Sequence, residues 1–375
     1  MLALGFLALA GAVLALAPPP ANGSRRNAAV AFVAALAFAI SSGPGTSDFA
    51  LGQIAIVATA GLALVLALTE RGAHAGFAAA ATVLAGTQPN LALPLVARLR
   101  DARASASVVA GGVAFAALTL LAGGGIAGLR SYLGVLSAHG AAERVDAIQH
   151  TPAAIAYGFT ASHEIAAVAG WTCAAAAVGA VVAALVRFRL GARDGTLAAI
   201  AALPFATPFF HEHDFVVVVL PLLFLGRRAR GAARAWAGAA VPLALVDWFG
   251  MAQRPQGGAQ IVVAGIATAA LFVALRDGRN DRTVFVPFAA LALGAALALP
   301  LARTVPAPVW PDALPAAYRA PAGASASVVW RDEQHAAGLD RPVAAWAFLR
   351  ALPLAGCACT FIAVVLYGRT SRAPA

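Results

Sequence analysis

The sequence predicts an all-α, polytopic integral membrane protein, and three observations lead to this prediction. Hydrophobic residues make up 61% of the 375 residues, charged residues make up only 11%, and the mean hydropathy is +0.82. Soluble domains carry roughly 25% charged residues, so a soluble fold could not bury this much apolar surface. The apolar residues also recur in long stretches, and arginines are concentrated between them. We therefore expect one membrane-embedded domain over residues 1–375, with the bilayer as its main solvent.

The apolar stretches predict about 11 to 13 hydrophobic helices. Several stretches are shorter than the roughly 20 residues that a straight span needs, so we expect short or broken helices among them. The stretches lie at 2–17, 27–41, 51–69, 75–98, 105–129, 165–186, 195–210, 215–226, 236–252, 259–275, 283–303 and 343–367.

The formal net charge of +10 comes from arginine. In membrane proteins the arginine-rich loops stay in the cytoplasm, so we interpret these arginines as a topology signal and predict no nucleic-acid partner. The C-terminal segment, with Arg369 and Arg372, is then cytoplasmic. We predict a multi-pass protein of the cytoplasmic (inner) membrane, in contact with membrane lipids.

One apolar stretch, 75–98, conflicts with this topology because the arginines at both of its ends belong in the cytoplasm. A broken helical hairpin over 75–98 removes the conflict. Pro89 lacks a backbone donor and disfavours helix in the preceding residue, which gives the break a local cause. Non-helical backbone at membrane depth lines a polar cavity or is buried in protein, so Gln88 and Asn90 are candidate site residues.

Two longer segments are predicted as outer-side loops. The segment 130–164 mixes polar residues such as Tyr132 with apolar ones, as an interfacial helix does. The segment 304–342 is rich in proline and alanine and carries Trp310 and Trp330, which suits a short ordered cap at the membrane surface.

The densest ionisable cluster is His211-Glu212-His213-Asp214, between two apolar stretches. Ionisable residues at membrane depth are costly and mark function by default, although a solvated turn is the plain alternative. A His-x-His pair with a carboxylate also suits a metal. We assign no metal or cofactor, and a divalent metal stays open. Asp48 fits either a helix-flanking carboxylate or an outer-surface base, and Gln53 begins the helix that follows.

Several short motifs, taken in order, resemble glycosyltransferase family 87, within the C-type superfamily of membrane enzymes that use polyprenyl-phosphate sugars. The likeness covers about residues 30–226, and order and spacing carry it. The matching elements are Leu51-Gly52-Gln53, the Arg71 turn, Gly86-Thr87-Gln88-Pro89-Asn90, Tyr132-Leu133, Gln149-His150-Thr151, and Pro208 followed by His213-Asp214.

The resemblance implies a C-type glycosyltransferase fold and transfer of a hexose, often mannose, in the cell envelope. The donor would be a polyprenyl-phosphate sugar and the acceptor a lipid or glycan, at the outer face of the membrane. Such a transfer needs a carboxylate base and a polar cradle for the departing phosphate. The candidates are Asp48 and Asp214 as catalytic carboxylates, and as substrate-binding residues Gln53, Gln88, Asn90, Tyr132, His211 and His213.

This chain departs from the family pattern at two points. Gln88-Pro89 stands where the family usually has a Lys-Pro-like dipeptide. The family's catalytic Asp belongs to a first outer loop, and we expect that region to be missing from this chain. The alternative function is a permease or lipid flippase. Broken helices suit transporters equally well, but transporters often show repeated halves with paired breaks, which we do not find here.

Overall fold

The computed structural model describes residues 1–17, 25–276, 282–309, 319 and 322–371. Its regular secondary structure consists of helices, with no strand among the described residues. The all-α prediction is therefore confirmed. Trp310 and Arg372 lie outside the described residues.

The α-helices follow one another with short connections. In the first half they are α1 (Leu2–Leu16), α2 (Arg25–Ser41), α3 (Gly43–Leu51), α4 (Ala55–Glu70), α5 (Ala75–Ala85), α6 (Pro89–Ala92), α7 (Ala102–Ala122), α8 (Gly125–Glu143), α9 (Pro152–Thr160) and α10 (His163–Arg187). In the second half they are α11 (Ala192–Ala206), α12 (Val216–Arg228), α13 (Gly231–Leu245), α14 (Gly250–Gln253), α15 (Gly258–Ala274), α16 (Val286–Thr304), α17 (Ala326–Ala337) and α18 (Ala344–Thr370). Short 3-10 helices cover Leu93–Arg100, His213–Phe215, Pro255–Gly257 and Arg282–Phe285.

Six helical segments in the described part of the chain are long and apolar enough to cross a bilayer. The bent pair α2 and α3 would make a seventh span, with an angle of 69° at its break. The chain is therefore a multi-pass membrane protein, as predicted. The six segments are Ala104–Ala122, His163–Arg187, Gly231–Gln253, Pro255–Ala274, Arg282–Thr304 and Ala344–Thr370.

The bend between α2 and α3 has a local cause in the sequence. Ser42 has extended backbone and its hydroxyl accepts from the Gly45 N–H at 3.1 Å, which caps α3, while Pro44 occupies the first turn. Gly43 approaches the loop after α13 so closely that a Cβ there would lie 2.8 Å from the Asp247 nitrogen. The start of α3 is thereby placed against Asp247.

The stretch 75–98 contains α5, a non-helical break over residues 86–88, and then α6 with the 3-10 helix that follows it. Helix resumes at Pro89, where the missing N–H costs nothing because the first turn has no intrahelical acceptor for it. The side chain of Gln88 is thus attached to a non-helical residue between two helices.

The core is centred on α12, whose residues from Val216 to Arg227 are all buried. It packs against α4, α11, α13 and α18, and α13 runs along α18. Such a helix, apolar all round, suits the interior of a bundle. By contrast α7 and α10 are largely exposed within their apolar windows, so these helices face lipid.

Arg350 in α18 is a buried charge, 1% exposed. Its Nη1 donates to the carbonyl oxygens of Asp146 at 2.8 Å and Gln149 at 2.9 Å. A buried guanidinium must have its hydrogen bonds satisfied, and here backbone acceptors supply them. The bonds hold the turn between α8 and α9 against α18.

Candidate active site

A cavity of about 840 Å³ lies where the polar ends of several helices meet. Residues next to α3, α8, α12 and α13 contribute to its wall, and α17 adds Trp330. Its volume is typical of small-molecule sites. The titratable residues that border it are His139, Glu143, His150, His211, Glu212, His213, Asp247 and Arg254.

The turn that carries the ionisable cluster folds as a helix N-terminus. α11 ends where Thr207 adopts extended backbone before Pro208, and the 3-10 helix His213–Phe215 leads directly into α12. Asp214 Oδ2 accepts from the His211 N–H at 2.9 Å, so the side chain reaches back three residues as in a capping box. The turn therefore presents His211, Glu212 and His213 to the cavity and keeps Asp214 beneath them.

The His211 ring lies between two carboxylates. Its Nε2 is 3.3 Å from Glu143 Oε2, and its Nδ1 is 3.7 Å from Asp214 Oδ2. Burial alone would lower the pKa of His211, but its contacts with Asp214 and Glu143 raise that pKa to about 9. His211 is thus protonated at neutral pH. The Gln149 amide nitrogen lies 3.0 Å from Nε2, and because it can only donate, this hydrogen bond forms when Nε2 carries no proton.

Glu143 is a buried carboxylate with several donors around it. Its Oε2 accepts from Gln149 Nε2 at 2.9 Å and its Oε1 accepts from Trp330 Nε1 at 2.8 Å. His139 Nε2 lies 3.2 Å from Oε2. Burial favours the neutral acid, yet the contacts with His211 and His139 and the Trp330 hydrogen bond keep the Glu143 pKa below its ordinary value. Glu143 is therefore the negative partner that α8 supplies to His211.

Asp214 joins this cluster to the helix break. Gln88 Nε2 donates to Asp214 Oδ1 at 2.6 Å, and His213 Nε2 lies 3.7 Å from the same oxygen. Despite burial, hydrogen bonds from His211 and the charges of His213 and His211 lower the Asp214 pKa. The second Gln88 amide atom, Oε1, is buried and has no hydrogen-bond partner among the described residues.

Asp48 has a different environment. It is fully buried, and its two carboxylate oxygens accept from the N–H groups of Ala55 at 3.2 Å and Ile56 at 3.1 Å. These are the orphan donors at the start of α4, so Asp48 acts as a cap for that helix. Its helix packs against the 3-10 turn of His213–Phe215, but Asp48 does not border the cavity.

The other predicted residues separate into two groups. Gln53 borders the cavity together with His211 and His213. Asn90 in α6 and Tyr132 in α8 do not, and Tyr132 is 53% exposed. The structure thus places Gln53, His211 and His213 on one cavity, with Asp214 and Gln88 in contact behind them. Neither Gln88 nor Asp214 borders the cavity, and Asn90 and Tyr132 also lie outside its wall.

Sequence reasoning missed Glu143, Asp247 and Trp330 as members of this site. Glu143 lies inside the predicted interfacial segment 130–164, where an acidic residue is expected to face water. Asp247-Trp248 is typical of a pair that anchors the end of a helix at the membrane–water interface. The signal that was available is Arg350, since a lone arginine inside an apolar span marks a polar interior.

A metal could find ligand atoms in His211, His213 and Asp214, which lie within 4.8 Å of one another. A protonated imidazole has no lone pair for a metal. In the described structure the same three side chains form a hydrogen-bonded cluster.

Comparison with protein families decides the affiliation of the chain. The model of glycosyltransferase family 87 matches residues 1–209, which is more than half of the 375 residues. The chain belongs to glycosyltransferase family 87. This membership indicates glycosyl transfer from a sugar donor to an acceptor. Comparisons with curated proteins and with solved structures give no significant match.

The region matched to glycosyltransferase family 87 contains Gln53, Gln88 and Glu143 and ends two residues before His211. The contacts described above join the two parts, because Glu143 and Gln88 lie in the matched region and contact His211 and Asp214. The cavity is therefore bordered both by the family region and by the chain that follows it.

Proposed function

We propose that this glycosyltransferase moves a hexose, such as mannose, from a polyprenyl-phosphate donor to a lipid or glycan acceptor at the outer face of the cytoplasmic membrane. The observation that carries the proposal is the His211 ring in the wall of a polar cavity, held 3.3 Å from Glu143 and 3.7 Å from Asp214. An amphipathic donor can reach such a cavity from the bilayer. Its phosphate needs a cation or strong donors when it departs.

The imidazolium of His211 is available to a phosphate oxygen. Its separations from the two carboxylates, 3.3 and 3.7 Å, exceed the roughly 2.7–2.9 Å of charge-assisted hydrogen bonds. His211 can therefore exchange one carboxylate for the phosphate while the other keeps it protonated. His213, whose ring centroid lies 5.3 Å from that of His211 in a stacked arrangement, also borders the cavity and would complete the cradle. Gln88 would act from behind the wall, through its hydrogen bond to Asp214.

In the reaction, an acceptor hydroxyl oxygen bonds to the anomeric carbon as the bond from that carbon to the phosphate oxygen breaks. The hydroxyl proton passes to a carboxylate, and polyprenyl phosphate leaves with the electron pair. Asp48 and Asp214 are the predicted bases. Each accepts protein hydrogen bonds, so either one must exchange a donor for the acceptor hydroxyl. Full activity of an Asp214→Asn variant would show that Asp214 is not the base.

The test is transfer of a labelled hexose by the purified chain in lipid nanodiscs, with polyprenyl-phosphate hexoses as donors and a membrane-lipid extract as acceptor. His211→Gln should lower the rate about a hundredfold, as loss of a group that stabilises the departing anion does. His74→Asn is the matched control, because His74 caps α5 away from the cavity and Asn also caps helices.

Two results would contradict the proposal. One is equal transfer by the His211→Gln and His74→Asn proteins. The other is the lack of transfer from every polyprenyl-phosphate sugar together with substrate uptake by proteoliposomes, which would instead favour a permease.

A further inference from the structure

The cavity has a second polar wall that the phosphate cradle does not use. It lies beside the loop after α13 and carries Glu212, Asp247, Gln253, Arg254 and Gln260. Asp247 is fixed there by two short hydrogen bonds, from the Gly250 N–H at 2.6 Å and from Arg254 Nη2 at 2.7 Å. The wall is therefore rigid and contains both donors and acceptors.

Glu212 lies next to Asp247 in this wall. Burial, followed by the nearby charge of Asp247, raises the pKa of Glu212 well above its ordinary value, and Arg254 offsets this only in part. Asp247 in turn is paired with Arg254.

Two buried polar atoms at the cavity have no hydrogen-bond partner among the described residues. They are Glu212 Oε1 and His150 Nδ1, and His150 is only 2% exposed. A buried polar atom without a partner costs about 1–3 kcal/mol. Both residues border the cavity, and a ligand hydroxyl that reached these atoms would satisfy them.

The donors and acceptors of this wall match the hydroxyl groups of a sugar better than the oxygens of a phosphate. A phosphate offers acceptor oxygens and matches donors, whereas carboxyl oxygens are the wrong partners for it. A sugar hydroxyl donates and accepts, and so it matches carboxyl oxygens and a guanidinium together. Phe249 adds an apolar ring to the same wall.

We propose that Glu212 and Asp247, with Arg254, form the subsite that binds the hydroxyl groups of the transferred sugar. The inference rests on the proposed function, since it assumes a donor whose phosphate lies at His211. Because Glu212 directly follows His211 in the chain, one turn would present both the phosphate and the attached sugar to their partners.

The test is equilibrium binding of two lipids to the purified chain in nanodiscs: bare polyprenyl phosphate, and the same polyprenyl phosphate carrying a hexose. Wild type should bind the hexose-bearing lipid more tightly. Glu212→Gln and Asp247→Asn should each weaken binding of that lipid about tenfold or more, because a buried group loses its matched partner. Binding of the bare lipid should not change, which also shows that the variants are folded.

Glu164→Gln is the matched control, because Glu164 is an exposed residue in the first turn of α10, and this variant should retain the wild-type preference. Equal affinity of wild type for both lipids, or a full preference in both Glu212→Gln and Asp247→Asn, would overturn the sugar subsite alone. Failure of wild type to bind either lipid would overturn the proposed donor, and the subsite with it.

Discussion

At the scale of single residues, the main feature is an imidazolium held by two buried carboxylates from distant parts of the chain. Glu143 and Asp214 keep their negative charges in spite of burial because His211 is positive, and His211 keeps its proton because they are negative. Each charge depends on the other two. Loss of one member leaves an uncompensated buried charge, which is costly in a protein interior.

The charge on His211 predicts how stability depends on pH. Its folded pKa of about 9 lies above the ordinary value of 6.5, so its contribution is complete below pH 6.5 and is lost as the pH rises through about 9. The shift corresponds to at most about 3 kcal/mol. We expect the difference in unfolding temperature between wild type and His211→Gln to shrink steadily from pH 6.5 to pH 9.5.

Thermal unfolding of both detergent-purified proteins across this range measures the effect. In the wild type Glu143 and Asp214 stay ionised throughout this range, because their contacts with His211 lower their pKa values. A difference that is constant with pH would show that His211 is not protonated in the folded protein.

Only part of this residue-scale arrangement could be predicted from the sequence. The cluster at 211–214 stands out because ionisable residues interrupt apolar stretches. The contact of Gln88 with Asp214 spans 126 residues, and no local pattern encodes such a pairing. Likewise, nothing local distinguishes a carboxylate that caps a helix, as Asp48 does for α4, from one that borders a cavity.

At the scale of elements, α17 covers the cavity and is attached to its charged wall. Trp330 borders the cavity and donates its indole N–H to Glu143, and α17 packs on α8. The sequence indicated an ordered cap near Trp330 from composition alone. Which residue the indole would reach depends on how α8 and α17 pack, and amino-acid pattern does not specify that.

The Trp330 hydrogen bond can be tested by Trp330→Phe, which keeps an aromatic ring and removes the indole N–H. A hydrogen bond to a charged group contributes about 1.5–3 kcal/mol. Amide hydrogen exchange in α17 should therefore accelerate by roughly tenfold or more. Arg331→Gln, at an exposed position on the same helix, is the control and should leave exchange unchanged. Equal exchange in both variants would show that the bond does not hold α17.

At the scale of the whole molecule, composition alone was enough to predict the helical, multi-pass fold. A chain this apolar must satisfy its backbone hydrogen bonds within helices when it lies in a bilayer. The sequence could not predict which helices become the buried centre. α12 and α10 are both strongly apolar, yet α12 is enclosed by other helices while α10 is largely exposed.

The arginine distribution predicts the orientation of the whole chain, with the C-terminus in the cytoplasm and the cavity at the outer face. A fluorescent protein fused to the C-terminus should fluoresce in cells, and alkaline phosphatase fused there should be inactive. Ser131→Cys, at an exposed position of α8, should react with a membrane-impermeant maleimide added outside. Wild type is the labelling control. Active alkaline phosphatase at the C-terminus would show that the orientation is the opposite of the predicted one.

The helix break at Gln88 bears on how the protein responds to the thickness of its bilayer. α5 has 11 residues and is roughly 16 Å long, about half the thickness of the hydrocarbon layer. We therefore expect the depth of the break to depend on the surrounding lipid as well as on protein packing. Since Gln88 is bonded to Asp214, a displacement of the break along the membrane normal would alter the charge balance around His211. Membrane thickness would then act on the chemistry of the cavity through a single amide group.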